Sequence, residues 1–289
     1  MIAPTPHHHW HIELASRTPD LPWMLLFHGF LGCGEAMRPL AQRISSRCNP
    51  LLIDLPGHGE TRSVCADPLP NGWEDEPDSG FRLESQIEDL SSMVDRLQCG
   101  PVWLYGYSMG GRLALQLACA CPDLVSGLIL ESSTPGITDE ADRRERQELD
   151  RERARAILQD LPGFLDKWEQ MPLFQSEDHD GSTPSSVVSC SRSPEGLAAS
   201  LLGFGTGQMP SVWESLESLQ IPVLLLSGEG DSKFIGIHKK MARNIPDAMH
   251  IIVKRSGHRV HRDRPDEVAS RILDFLRSSR IDSTHFRQK

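Results

Sequence analysis

One turn constrains this chain more than any other feature. In Leu104-Tyr-Gly-Tyr-Ser-Met-Gly-Gly-Arg-Leu-Ala-Leu115, an apolar β-prone run enters Gly106-Tyr107-Ser108-Met109-Gly110 and a helix-forming run leaves it. A strand that reverses into a helix within so few residues brings two backbones together, and small residues at both ends permit that approach. Ser108 then stands clear of the strand at a helix N-terminus, where amide N–H groups can receive developing negative charge. A G-x-S-x-G occurs often by chance, so the strand before it, the helix after it and suitable partners downstream carry the inference.

The rest of the chain alternates in the same way. Trp23–Phe27, Leu51–Ile53, Val102–Leu104, Gly127–Glu131, Pro222–Leu226 and Met249–Val253 read as buried strands. Leu83, Ile87, Leu90, Val94 and Leu97 recur in steps of four and three, and Val268, Ile272, Phe275 and Leu276 give the last helix its apolar face. Strand–helix alternation predicts an α/β fold, a mostly parallel sheet with helices on both faces. Residues 137–210 interrupt it with a charged helical stretch too long for a loop. Inserted between two strands, it would lie over their carboxyl ends as a cap, leaving residues 1–136 and 211–289 as the core. The acidic, Pro- and Gly-rich stretch 65–80 reads as a surface insertion, and His7-His8-His9-Trp10-His11 as a terminal polar tract rather than a metal site.

With 289 residues and a formal net charge of −10, the chain is a poor match for nucleic acid. It has no apolar run of membrane-spanning length and no charged-then-apolar signal pattern, so the expectation is a soluble cytoplasmic protein without a membrane partner. Cys33, Cys48, Cys65, Cys99, Cys119, Cys121 and Cys190 are odd in number and scattered, which reads as reduced thiols rather than disulfides or a metal centre. A monomer needing no cofactor is expected.

A serine hydroxyl needs a base, and an imidazole base needs an acceptor that fixes its tautomer. The tail supplies both. Asp231 follows the strand at Val223–Leu226 in Gly228-Glu-Gly-Asp231, and His258 follows the strand at Ile251–Val253 in Ser256-Gly-His258. Glu229 and Glu131 compete for the acid's place, and His250 and His261 for the base's. After the first buried strand, His28-Gly-Phe-Leu-Gly32 forms a loop whose Phe30 amide, with that of Met109, would receive an oxyanion. His28 itself reads as structural.

The chain resembles the 2-succinyl-6-hydroxy-2,4-cyclohexadiene-1-carboxylate synthase family of the α/β-hydrolase fold. Leu26–Gly32, Asp54-Leu-Pro-Gly-His-Gly59, the Gly106–Arg112 turn and Ser256-Gly-His258 are shared widely across the fold. Gly205-Thr-Gly207 matches as well, and Gly110-Gly-Arg112, Trp168-Glu-Gln-Met-Pro-Leu-Phe174 and Asp231-Ser-Lys-Phe234 are narrower. The resemblance implies a lyase of menaquinone biosynthesis that eliminates pyruvate from 2-succinyl-5-enolpyruvyl-6-hydroxy-3-cyclohexene-1-carboxylate. Ser108, activated by His258 and Asp231, would act as a base rather than a nucleophile.

That substrate carries three carboxylates, which an acidic protein must meet with locally gathered arginines. Arg112 lies one helical turn beyond Ser108, and the resemblance picks Arg146 and Arg192 from the cap, with Tyr107 and Trp168 as pocket walls. The other cap arginines, Arg151 and Arg153 among them, read as a solvated, salt-bridged face. Leu202 stands where many members have arginine, which puts more weight on Arg192. The alternative is a serine hydrolase of esters or carbon–carbon bonds with Ser108 as nucleophile, an activity that would not require the arginines.

Overall fold

Strands buried on both faces need apolar residues at nearly every position, and the central strands of this sheet have them. The computed structural model describes residues 2–64, 69, 79–98, 100–174 and 190–279. Among these, nine strands form one sheet: β1 (Ile2–Pro4), β2 (His8–Leu14), β3 (Trp23–Phe27), β4 (Asn49–Ile53), β5 (Arg62–Ser63), β6 (Val102–Tyr107), β7 (Val125–Glu131), β8 (Val223–Gly228) and β9 (Ala248–Val253). Their order is β1-β2-β4-β3-β6-β7-β8-β9, with β5 beside β2. From β4 to β9 every pairing is parallel, while β1, β2 and β5 join antiparallel at one edge.

Alternation divides each strand between two cores. Leu25, Phe27, Leu104, Leu128 and Leu225 face α2 (Leu83–Leu97), α3 (Met109–Ala120) and α7 (Ser232–Asn244). Met24, Leu26, Tyr105, Ile129 and Leu224 face α1 (Arg38–Ile44) and α9 (Pro265–Ser278). The strand and helix assignments agree with the periodicity, and the fold is α/β with helices on both faces.

Between β7 and β8 lie α4 (Glu140–Gln159), α5 (Leu161–Glu169) and α6 (Pro194–Phe204). Each begins at a capping side chain: Asp139 accepts from the amides of Ala141 and Asp142, Asp160 from Gly163, and Ser193 from Gly196. Ile157, Leu197 and Leu201 pack with Leu31 from the loop after β3, so these helices rest on the edge of the core. Gly57 and Gly196 make the seam tight, since a Cβ on Gly57 would lie 2.1 Å from the Gly196 carbonyl oxygen.

Two expectations are corrected. The histidine-rich tract is not a polar tail but part of β2, with His8 and Trp10 fully buried. His8 Nδ1 and Trp10 Nε1 meet the Asp89 carboxylate at 2.9 and 3.0 Å, and the His7 amide donates to its other oxygen. These bonds outweigh the burial that would raise Asp89, and hold its carboxyl below the usual value. Second, Cys33 and Cys190 are joined in a disulfide, not held as thiols. They are 157 residues apart, so spacing alone could not pair them. The bond ties the loop after β3 to the segment that leads into α6. Cys48 and Cys119 are free thiols raised to about 12 and about 11 by burial. The acidic stretch lies, apart from residues 69, 79 and 80, outside the described residues.

The disulfide makes a mass-spectrometric prediction. Digestion of unreduced protein should yield a linked Cys33–Cys190 peptide, while Cys48 and Cys119 should resist alkylation until the protein unfolds. Recovery of Cys33 and Cys190 individually alkylated from native, unreduced protein would contradict the pairing.

Candidate active site

Ser108 follows β6 directly, with φ 51° and ψ −108°, a conformation that residues with side chains rarely adopt. Packing holds it there. A Cβ on Gly106 would lie 2.5 Å from the Gly110 carbonyl oxygen, and one on Gly110 would lie 2.5 Å from the carbonyl oxygens of Phe27 and His28. The Ser108 amide donates to the Glu131 carbonyl at 2.8 Å, fixing the turn against β7.

The loops after β8 and β9 bring the other two groups to it. Asp231 caps α7, accepting from the Phe234 amide, and its Oδ2 lies 2.7 Å from His258 Nδ1. His258 Nε2 lies 3.2 Å from Ser108 Oγ. A Cβ on Gly228 would strike the Gly257 carbonyl oxygen at 2.1 Å, so the two loops touch where they must. Asp231 and His258 are 5% and 2% exposed, so the pair is shielded while Ser108 Oγ opens to a cavity. Of the competing residues, Glu229 accepts from the Arg255 amide and His250 Nε2 shares a hydrogen bond with the Ser227 hydroxyl; neither reaches Ser108.

The loop after β3 approaches from the opposite side. A Cβ on Gly29 would lie 2.6 Å from the Tyr107 ring. His28 Nδ1–H donates to the Gly29 carbonyl at 2.7 Å and Nε2 accepts from the Leu55 amide at 3.0 Å, so this ring is a structural strut, as expected. Burial lowers its proton affinity and keeps it neutral. The Phe30 ring packs edge-on to His58 and Trp168. Met109 opens α3, whose first amides have no partner within the helix.

A cavity of about 440 Å³ lies over Ser108, walled by Phe30, Tyr107, Trp168 and Phe174. Its cations are Arg192, Arg259 and Arg262. Arg192 also donates through Nε and Nη2 to the Leu31 carbonyl. Arg259 pairs with Glu169 at 2.6 and 2.7 Å and lies 4.1 Å from the Phe174 ring centroid, clasping α5 to the loop of the histidine. Arg259 and Arg262 were not singled out by sequence. Their position next to His258 and four residues beyond it was the available signal.

Arg112 and Arg146 stand apart from this cavity. Arg112, 7% exposed, donates to the Phe204 carbonyl at 3.0 Å and lies over the Phe204 ring. Burial, then repulsion from Arg146, lowers it to about 9. Arg146 donates through Nε to both oxygens of the buried Asp150, at 2.9 and 3.0 Å. Arg153 shares Asp150 and lies 5.3 Å from the Trp168 ring centroid, so it belongs to the interior side of α4 rather than the solvated face predicted for it. Arg151 pairs with Glu148. Among the described residues no cluster of metal-ligating side chains is present.

Residues 24–271 match the model of the alpha/beta hydrolase family. The chain is 37% identical over 262 residues to a putative 2-succinyl-6-hydroxy-2,4-cyclohexadiene-1-carboxylate synthase of Bacillus subtilis, covering 88% of this chain and 90% of that one. A synthase of the same name from Salmonella arizonae is 30% identical, covering 89% and 94%. Among solved structures, MenH from S. aureus superposes with a TM-score of 0.80 at 32% identity, over 95% of this chain and 99% of that one.

Two buried histidines give a pH prediction. Burial lowers His58, packed on Phe30 in the loop after β3, and His238, behind Ser133, to about 3 in each case. In the unfolded chain both titrate near 6.5, so between about pH 6.5 and 3 the unfolded state binds more protons. Stability is therefore fully present above that range and falls as pH drops through it. The urea midpoint should decrease steadily from pH 7 to pH 5, and the decrease should diminish in His238→Asn. A flat midpoint over that interval would refute the assignment.

Proposed function

This chain belongs to the 2-succinyl-6-hydroxy-2,4-cyclohexadiene-1-carboxylate synthases within the alpha/beta hydrolase family, and from that premise we propose that Ser108, His258 and Asp231 carry out its elimination of pyruvate. The enzyme is a lyase of menaquinone biosynthesis. The observation that carries the residue assignment is the chain of contacts from Asp231 through His258 to Ser108, ending at a cavity walled by arginines.

His258 Nε2 receives the Ser108 hydroxyl proton, and Asp231 balances the charge on the ring. The serine oxygen then takes the proton from the carbon beside the succinyl ketone. The amides of Phe30 and Met109 meet the enolate oxygen, where fixed dipoles act without reorganisation. Electrons pass through the ring alkene and expel the enolpyruvyl oxygen, which leaves as pyruvate. Ser108 forms no bond to carbon, and neither water nor a cofactor enters.

The helices α4, α5 and α6 between β7 and β8 act as the cap. Arg192 and Arg262 supply cations to the substrate's carboxylates, with Tyr107 and Trp168 as apolar walls. Arg112 and Arg146 form a second positive group. A carboxylate reaches them only by competing with Asp150 or the Phe204 carbonyl.

Ser108→Ala and His258→Ala should each lower kcat by about 10³-fold or more, and the double variant should lose little further. Pyruvate release, coupled to NADH oxidation by lactate dehydrogenase, measures this. Retention of most activity by Ser108→Ala would sink the base assignment, and a Ser108 adduct decaying at the turnover rate in intact-mass spectra would restore the hydrolase chemistry.

For the cations, Arg192→Ala and Arg262→Ala should lose about 2–4 kcal/mol in kcat/KM. Lysine replacements should recover part of that loss. Arg151→Ala, remote from the cavity, is the control. Arg146→Ala should also lower the urea midpoint, because it strips a partner from buried Asp150. Equal sensitivity at Arg151 and the two cavity positions would disprove this ligand set.

A further inference from the structure

The two residues that competed for catalytic places in the sequence are bonded to each other. Glu131 ends β7 with no exposure, and His261, in the short helix α8 (Val260–Asp263), is 6% exposed. Glu131 Oε1 lies 2.7 Å from His261 Nδ1 and accepts the His261 amide at 3.1 Å. Its Oε2 accepts the Tyr105 hydroxyl. Three donors therefore converge on one carboxyl group, the pattern an acceptor-only carboxylate satisfies. With Nδ1 taken, Nε2 is the ring nitrogen left over, and it has no hydrogen-bond partner among the described residues.

His261 borders the same cavity as Ser108. Its ring centroid is 4.9 Å from that of Tyr107, and the His258 centroid is 5.5 Å from the same ring. The site thus holds two imidazole–carboxylate pairs about one aromatic side chain. Glu131 serves both halves: its backbone carbonyl fixes the Ser108 amide and its side chain fixes His261. A structural pair needs no opening to the cavity.

We infer that His261, positioned by Glu131, is a second proton-transfer group, donating from Nε2 to the departing enolpyruvyl oxygen. This rests on the Ser108-base reading above. In that reading Ser108, activated by His258, takes the proton at the carbon beside the ketone, while the leaving oxygen departs from the other end of the conjugated system. The donating ring carries both protons, with Glu131 balancing the charge. As the ring C–O bond breaks, its electron pair goes to oxygen, the Nε2 proton follows, and neutral His261 keeps its Nδ1–H on Glu131. The released enol tautomerises to pyruvate. Afterwards His258 returns its proton to solvent and His261 takes one, so the cycle gains and loses none.

The test separates the two proton transfers. A substrate analogue lacking the enolpyruvyloxy group can undergo only deuterium exchange at the carbon beside the ketone, which NMR follows in D2O. In His261→Gln, pyruvate release from the true substrate should fall about 100-fold or more, the usual size of general-acid assistance, with exchange in the analogue nearly unchanged. Replacing the enolpyruvyloxy group by nitrophenoxy, which departs without a proton, should bring His261→Gln within 10-fold of wild type, as an approximate bound set by that assistance. Glu131→Gln should move in the same direction by a smaller factor. Wild-type pyruvate release in His261→Gln overturns the proposal, as does an equal loss of exchange and release in both variants, or no rescue by the better leaving group. Ser108→Ala tests the underlying reading independently: retained exchange there defeats the serine base, while the His261 comparison still reports on the leaving-group step.

Discussion

Everything at this site depends on the close backbone approach at the turn after β6. Ser108 sits in a region of backbone space that costs of order 1–3 kcal/mol, and packing on every side holds it there. Gly106 and Gly110 leave no room for a Cβ against each other or against β3, and the amide bond to Glu131 secures the turn to β7. In this conformation the Ser108 hydroxyl lies 3.2 Å from His258 Nε2. The neighbouring loop obeys the same constraint, since Gly29 must pass beneath the Tyr107 ring to bring Phe30 alongside.

Around that turn, the insert between β7 and β8 is joined to the core by contacts of different chemistry. The Cys33–Cys190 bond and the Arg192 contact with the Leu31 carbonyl both tie it to the loop that carries Phe30. Arg259 and Glu169 tie α5 to the loop that carries His258. Each of these groups lines the cavity or adjoins a residue that does, so holding the insert in place and shaping the pocket are one task. A chain with ten excess negative charges holds the cations of the insert and its rim by pairing them: Asp150 anchors Arg146 and Arg153, and Glu169 anchors Arg259.

Glu131 and His261 illustrate why residue type alone does not assign roles. By type and place in the chain, each was an acceptable member of the serine's relay. The direction of the strands separates them: β7 ends beside α8, whereas the loop after β8 meets the loop after β9. Both imidazoles therefore find carboxylates, and only His258 reaches the serine.

The sequence by itself determined the layers, the strand order's alternation with helices, the turn at Ser108 and the presence of Asp231 and His258 on loops after the last two strands. These follow from local periodicity and from glycine spacing, and both act over a few residues. It misread the histidine-rich tract, because partnership with Asp89, about eighty positions away, turns polar side chains inward. It missed the Cys33–Cys190 bond for the same reason. It chose Arg112 by its distance from Ser108 and Arg146 by resemblance, while the cavity wall is set by how helices, loops and sheet meet; there the structure places Arg259 and Arg262 with Arg192. Tertiary structure decided which charged groups are neutralised within the protein and which face the cavity, because burial and pairing depend on neighbours that the chain brings together only when it folds.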